Sequence, residues 1–99
     1  MESFNDVISG DKSVLVDFFA TWCQPCKMMH SILEQVKNVL GDKIRIIKVD
    51  VDKHGATAGR YNVQSVPTLM LFRNGEVLWR TSGVMQRAEL LATIDPFLR

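Results

Sequence analysis

Cys23 and Cys26 are the residues whose type and spacing point most directly to chemistry. They are the only two cysteines of the 99-residue chain, and Gln24 and Pro25 separate them. A bond between them would close too short a loop to stabilise the fold appreciably, because it constrains little of the unfolded chain. In a reducing compartment such a pair is more often catalytic or metal-binding than structural. The spacing therefore indicates thiol chemistry.

The cysteine pair lies between a predicted strand and a predicted helix. The apolar run Ser13–Phe19 is typical of a strand buried on both faces. Beyond the pair, apolar residues recur at helical spacing and place both Met28 and Met29 in the core. A helix N-terminus favours a thiolate through its free N–H groups and its positive dipole end. We therefore expect Cys23 to be the attacking thiolate and Cys26 to resolve the mixed disulfide that forms with a substrate.

Zinc binding is the alternative chemistry for a Cys-x-x-Cys pair. His30 lies four residues after Cys26 and His54 lies farther along, so a Cys₂His₂ set is arithmetically possible. The spacing does not match a usual zinc finger, and a histidine on the flank of a helix is most often solvated. We expect redox chemistry, with no bound metal and no bound cofactor.

The remaining pattern predicts the elements that must position the pair. Two strands joined by a crossover helix and followed by a hairpin give the order αβαβαββα, an α/β sandwich around a mixed four-stranded sheet. At this length, residues 1–99 are expected to form a single domain. We predict a helix over Glu2–Ser9, strands over Ser13–Phe19 and Ile44–Val51, a short helix over Ala56–Tyr61, strands over Leu69–Phe72 and Glu76–Thr81 around an Asn74-Gly75 turn, and a last helix that Pro96 ends by excluding Asp95 from helical geometry.

Composition excludes several function classes. Twelve basic and 11 acidic side chains leave a net charge of +1, which favours neither nucleic acid nor a membrane surface as partner. No apolar run is long enough to span a bilayer. The first six residues, MESFND, lack the basic and apolar regions of a signal peptide, so a cytoplasmic location is expected.

Five sequence motifs in this order resemble the thioredoxin family over nearly the whole chain. They are Val14–Phe18, Trp22–Lys27, Lys48–Asp52, Val66–Thr68 and Phe72–Glu76. The resemblance implies a thioredoxin fold and a reductase of protein disulfides, cycling between a dithiol and a Cys23–Cys26 disulfide. It also implies electrons from NADPH, delivered by a flavoprotein thioredoxin reductase. The chain lacks a Gly-rich phosphate loop, so the flavin and nucleotide would belong to that partner.

The resemblance also assigns roles behind and around the cysteines. Asp17 matches a buried acid that accepts the proton of Cys26, and burial in an apolar strand raises the pKa of a carboxyl group. A compatible alternative is that Asp17 is merely paired with Lys48, the matching lysine. Val66-Pro67 matches the cis-proline loop, although the residues alone leave the isomer open. The residues expected to bind substrate are Trp22, Gln24, Pro25, Val66, Pro67, Gly83 and Val84.

Three departures from the family pattern carry expectations of their own. The usual first strand is absent from the predicted elements, so the strand at Ile44–Val49 should lie at an exposed edge and allow a monomer to self-associate weakly. Gln24 replaces a common glycine between the cysteines, which leaves the reduction potential open. Ser31 replaces a common kinking proline and should straighten the helix.

Two further functions remain open from the residues. One is a dedicated reductant of a single partner protein, which the docking rim would decide. The other is a non-catalytic binding scaffold that needs no thiols, although Cys23, Cys26, Asp17 and Pro67 together weaken it.

Overall fold

The computed structural model describes residues 2–98, in which helices flank a mixed sheet. The order αβαβαββα is the predicted one, and no helix within these residues is long and apolar enough to cross a membrane. The elements are α1 (Phe4–Ile8), β1 (Val14–Phe19), α2 (Gln24–Leu40), a 3₁₀ turn (Gly41–Lys43), β2 (Arg45–Asp50), α3 (Gly55–Arg60), β3 (Thr68–Arg73), β4 (Glu76–Ser82), α4 (Arg87–Ile94) and a second 3₁₀ turn (Asp95–Leu98).

The sheet has four strands in the order β2-β1-β3-β4. The strand β1 runs parallel to β2, to which α2 connects it, and antiparallel to β3. The hairpin of β3 and β4 turns at Asn74 and Gly75, whose φ angles of 52° and 80° fit the predicted turn. The strand β2 lies at one edge of the sheet, which confirms the expectation for this part of the chain.

Alternation along β1 divides the core into two layers. Leu15 belongs to the cluster beneath α2 and α4, whereas Val16 and Phe18 belong to the cluster on the α1 side of the sheet. Successive side chains of a strand point to opposite faces, so Asp17 shares the face of Leu15 and points toward α2. The alternation of side chains along β1 therefore places Asp17 beneath α2, the helix at whose start the cysteines lie.

Two details of the prediction were wrong. Met28 is 54% exposed while Met29 is fully buried, because successive residues on a helix point about 100° apart. The helix α4 ends at Ile94 as expected, but Asp95 keeps helical angles of φ −50° and ψ −44°. The chain then continues into the 3₁₀ turn, so Pro96 does not act by excluding Asp95 from helical geometry.

Candidate active site

The cysteine pair sits at the N-terminus of α2. Cys23 is the N-cap residue, and its Sγ accepts a hydrogen bond from the backbone N–H of Cys26 at 3.2 Å. Pro25 occupies the first turn, where its missing N–H costs nothing. The two sulfurs are joined in a disulfide, with the Cα atoms 5.3 Å apart. After reduction, the same amide and the helix dipole would stabilise a thiolate at Cys23.

The loop that leads into β3 faces the pair. The Val66-Pro67 peptide bond is cis, as the resemblance implied. The carbonyl oxygen of Val66 lies 3.7 Å from Cys23 Sγ. Gly83 donates its N–H to the Pro67 carbonyl at 2.9 Å and has a φ of 93°, a conformation that favours glycine. The structure thus brings Val66 to Cys23, and Gly83 is hydrogen-bonded to the adjacent Pro67. Val84 follows at the surface, 37% exposed.

Trp22 lies on the surface beside the disulfide. Its side chain is 71% exposed, which excludes a core role. The indole Nε1 donates a hydrogen bond to Asp52 Oδ2 at 3.0 Å, a partner that sequence reasoning missed. Trp22 borders a shallow groove, which is lined by Trp22, Val51, Val63, Gln64, Ser65 and Val66.

Asp17 is fully buried on β1, beneath the helix that carries the pair. Burial raises the pKa of its carboxyl group to about 7, and the positive charge of Lys48 opposes this rise. Lys48 lies opposite Asp17 on the neighbouring strand β2, and its positive charge affects the pKa of Asp17 electrostatically. Within residues 2–98 the Asp17 carboxylate oxygens have no hydrogen-bond partner. Asp17 is therefore a carboxyl group that can gain or lose a proton near neutral pH.

His30 is the site residue that sequence reasoning missed. Its Nε2 lies 3.1 Å from Asp17 Oδ2, without the alignment of a hydrogen bond. The side chain is 25% exposed, so it is partly solvated as expected, but its Nε2 atom is buried against Asp17. One signal was available: residues four apart share a helix face, so His30 follows Cys26 one turn along the face toward Asp17.

The described residues offer no alternative centre for a metal. Within residues 2–98 no three side chains among His, Cys, Asp and Glu are grouped so that they could hold a metal ion. Reversible exchange between a dithiol and a disulfide is the chemistry that this geometry supports. The fold and the site thus define the class of thiol–disulfide oxidoreductases.

Comparisons with known proteins agree with this class. Residues 1–96 match the family model described as Thioredoxin. A thioredoxin-like protein of Synechocystis sp. is 46% identical over 97 residues, which are 97% of this chain and 92% of that protein. The chloroplastic Thioredoxin Y of Oryza sativa is 40% identical over 97% of this chain, which spans 58% of that relative's length. The crystal structure of Malassezia sympodialis thioredoxin superposes with a TM-score of 0.88 at 36% identity, covering 97% of this chain and 86% of that one.

The chain belongs to the thioredoxin family. It is a protein-disulfide reductase, and its redox-active centre is the Cys23–Cys26 pair.

Proposed function

We propose that residues 1–99 act as one domain that reduces disulfides in many cytoplasmic proteins, recharged with electrons from NADPH by a flavoprotein thioredoxin reductase. The observation that supports this most directly is the position of Cys23, whose Sγ accepts the backbone N–H of Cys26 and faces Val66 of the cis-proline loop. The exposed groove beside Trp22 is shallow and open, which suits varied protein segments better than one shaped ligand.

The order of the reaction steps follows from the different surroundings of the Cys23 and Cys26 sulfur atoms. The Cys23 thiolate attacks a substrate disulfide, forms a mixed disulfide and releases one substrate thiol. Asp17 then accepts the proton of the Cys26 thiol, and the Cys26 sulfur attacks Cys23. The bond between Cys23 and the substrate breaks, and the second substrate thiol leaves. Lys48 has a supporting role, since its charge favours the ionised form of Asp17.

Substrate binding is assigned to the surface around the disulfide. An extended substrate segment would lie on Val66 and Pro67 and pair with the backbone of Val66, in the manner of an added strand. Trp22 and Val84 would supply exposed apolar contact on either side. Gln24 and Pro25 form the exposed first turn of α2, which the segment must cross. Gly83 would shape the loop from behind through its bond to Pro67.

Replacing Trp22 with alanine should weaken protein substrates selectively. We expect kcat/KM for a disulfide-bonded protein to fall about 10-fold, because an exposed aromatic anchor is lost. The reaction with a small disulfide should keep its rate. Val39→Ala is the control, since Val39 is also exposed but lies at the other end of α2. Equal losses for both kinds of substrate would show that Trp22 supports the cysteines instead of the partner.

The reduction potential of the cysteine pair tests the direction of the proposed reaction. Equilibration against a glutathione or dithiothreitol series should give about −270 mV, the thioredoxin range. NADPH and a thioredoxin reductase should then drive continuous turnover. A potential above about −200 mV would make the pair an oxidant or isomerase, and Gln24 would become the first residue to replace.

A cytoplasmic location is the second part of the proposal. It is supported by the Cys23–Cys26 pair, because a pair that reduces disulfides suits a compartment in which thiols are kept reduced. The rice relative is chloroplastic by name, so cell fractionation with an antibody to this chain is the deciding measurement.

We also propose that the protein is a monomer that self-associates weakly through the edge of β2. Unpaired backbone groups on an edge strand can pair with a second chain, and exposed charges such as Arg45 and Lys48 oppose this. Sedimentation should therefore show a monomer at micromolar concentration and a measurable dimer only near millimolar. A clean monomer at millimolar concentration would remove the edge contact from the proposal.

A further inference from the structure

A titratable side chain that the mechanism above does not use lies directly against Asp17. The Nε2 atom of His30 is 3.1 Å from Asp17 Oδ2. The ring also packs edge-on against Phe19, with ring centroids 5.0 Å apart. Because Asp17 and Phe19 lie two residues apart on β1, one face of the strand fixes the imidazole at two points.

Asp17 needs a route to water. Its side chain is fully buried, so a proton taken from Cys26 cannot leave directly. Yet that proton must leave before the carboxyl group can act again. His30 has Nε2 buried against the carboxyl group, while a quarter of its side chain remains exposed. His30 therefore touches Asp17 on one side and water on the other.

The exposed part of His30 opens into a groove between α2 and β2. Burial and the charge of Lys48 lower the pKa of His30, and Glu34 opposes them. Lys37, the other charged residue here, binds two backbone carbonyls through its ammonium group. The lowered pKa favours the uncharged imidazole at neutral pH. Within residues 2–98 its Nε2 has no hydrogen-bond partner, so this nitrogen can accept a proton. The groove is lined by His30, Leu33, Glu34, Lys37, Ile46 and Lys48.

We propose that His30 acts through Asp17: during resolution of the mixed disulfide it carries the proton from the Asp17 carboxyl group to the water of this groove. The inference rests on the proposed role of Asp17 as the base for Cys26. Cys26 loses its proton to Asp17 and bonds to Cys23, so the cysteine pair is oxidised and the substrate disulfide reduced. The Asp17 proton then passes to His30 Nε2, and the imidazole releases the proton on Nδ1 to water.

Two variants of His30 separate proton transfer from packing. His30→Gln keeps a polar side chain of similar length that does not titrate, and His30→Ala leaves a space that free imidazole can enter. Reduced protein is mixed with insulin, quenched with acid at successive times, and assayed for the mixed disulfide by mass spectrometry. We expect both variants to form the mixed disulfide at the wild-type rate and to resolve it about 10- to 100-fold more slowly.

Added imidazole should restore much of the resolution rate of His30→Ala, which a lost packing contact would not allow. The matched control is His54→Ala, because His54 is exposed and lies at the start of α3. That variant should keep both rates and show no response to imidazole. Resolution by His30→Gln at the wild-type rate, or a slow His30→Ala that imidazole leaves unchanged, would overturn the proposal.

Failure of the underlying mechanism would look different. If Asp17→Asn resolves the mixed disulfide as fast as wild type, Asp17 is not the base, and the role of His30 falls with it. If Asp17→Asn is slow while both His30 variants are normal, only the inference about His30 is overturned. A wild-type protein that forms no mixed disulfide with insulin would instead overturn the proposed substrate range and, with it, this inference.

Discussion

Replacing Cys23 with serine should lower the rate of protein-disulfide reduction by at least about 1,000-fold, to the background of uncatalysed exchange. A serine hydroxyl is not ionised near neutral pH, so the nucleophile is lost even though the N-cap position can still accept the Cys26 N–H. The fold should survive, because Cys23 and Ser differ little in size. The measurement is NADPH-coupled turnover on insulin, with circular dichroism as the check on folding.

Replacing Cys26 instead should leave the first chemical step intact. Cys26→Ser still attacks substrate disulfides through Cys23, but it lacks the sulfur that releases them, so covalent complexes should accumulate. Non-reducing gels should show these complexes for Cys26→Ser and none for Cys23→Ser. Complexes from the opposite variant would reverse the two roles. Full biological function in the double serine variant would instead support the scaffold alternative.

The reactive cysteines of this protein were easier to predict from its sequence than the side-chain contacts that surround them. The alternation of apolar residues along strands, their spacing along helices and the turn at Asn74-Gly75 are local signals, and they predicted the element order. The edge position of β2 was predicted instead from the family pattern, because the strand that usually comes first is missing here. Cys23 and Cys26 were found because two thiols at a helix start have few other uses. The cis bond before Pro67 was implied only by the resemblance, since the residues alone allow both isomers.

Contacts between elements were harder to foresee. The helical spacing of α2 marks a face of the helix, but it does not say which strand residue lies beneath that face. The contact of His30 with Asp17 depends on how far α2 is rotated on the sheet, which is set by packing of the whole core. The same uncertainty in rotation assigned Met28 to the core beside Met29, whereas the observed rotation leaves Met28 on the exposed side of α2.

Asp17→Asn should raise the free energy of unfolding at alkaline pH and lower the rate of disulfide reduction. The pKa of Asp17 is raised from 3.8 to about 7 in the folded protein. The folded state therefore binds more protons than the unfolded state between these values, so the free energy of unfolding falls as pH rises through this range. The difference between the two pKa values corresponds to a cost on the order of 4 kcal/mol above pH 7. Asparagine carries no charge and avoids this cost.

Urea unfolding of the oxidised proteins at pH 4 and pH 8 measures this effect. We expect Asp17→Asn to match wild type within about 1 kcal/mol at pH 4 and to exceed it by several kcal/mol at pH 8. His30 adds a pH dependence of its own and lies against Asp17, so the difference between the two proteins reports Asp17 together with its effect on His30. Asp11→Asn is the control, because Asp11 is exposed and should change little at either pH. A stability difference that is the same at both pH values would mean that Asp17 does not titrate in this range and cannot serve Cys26 as a base near neutral pH.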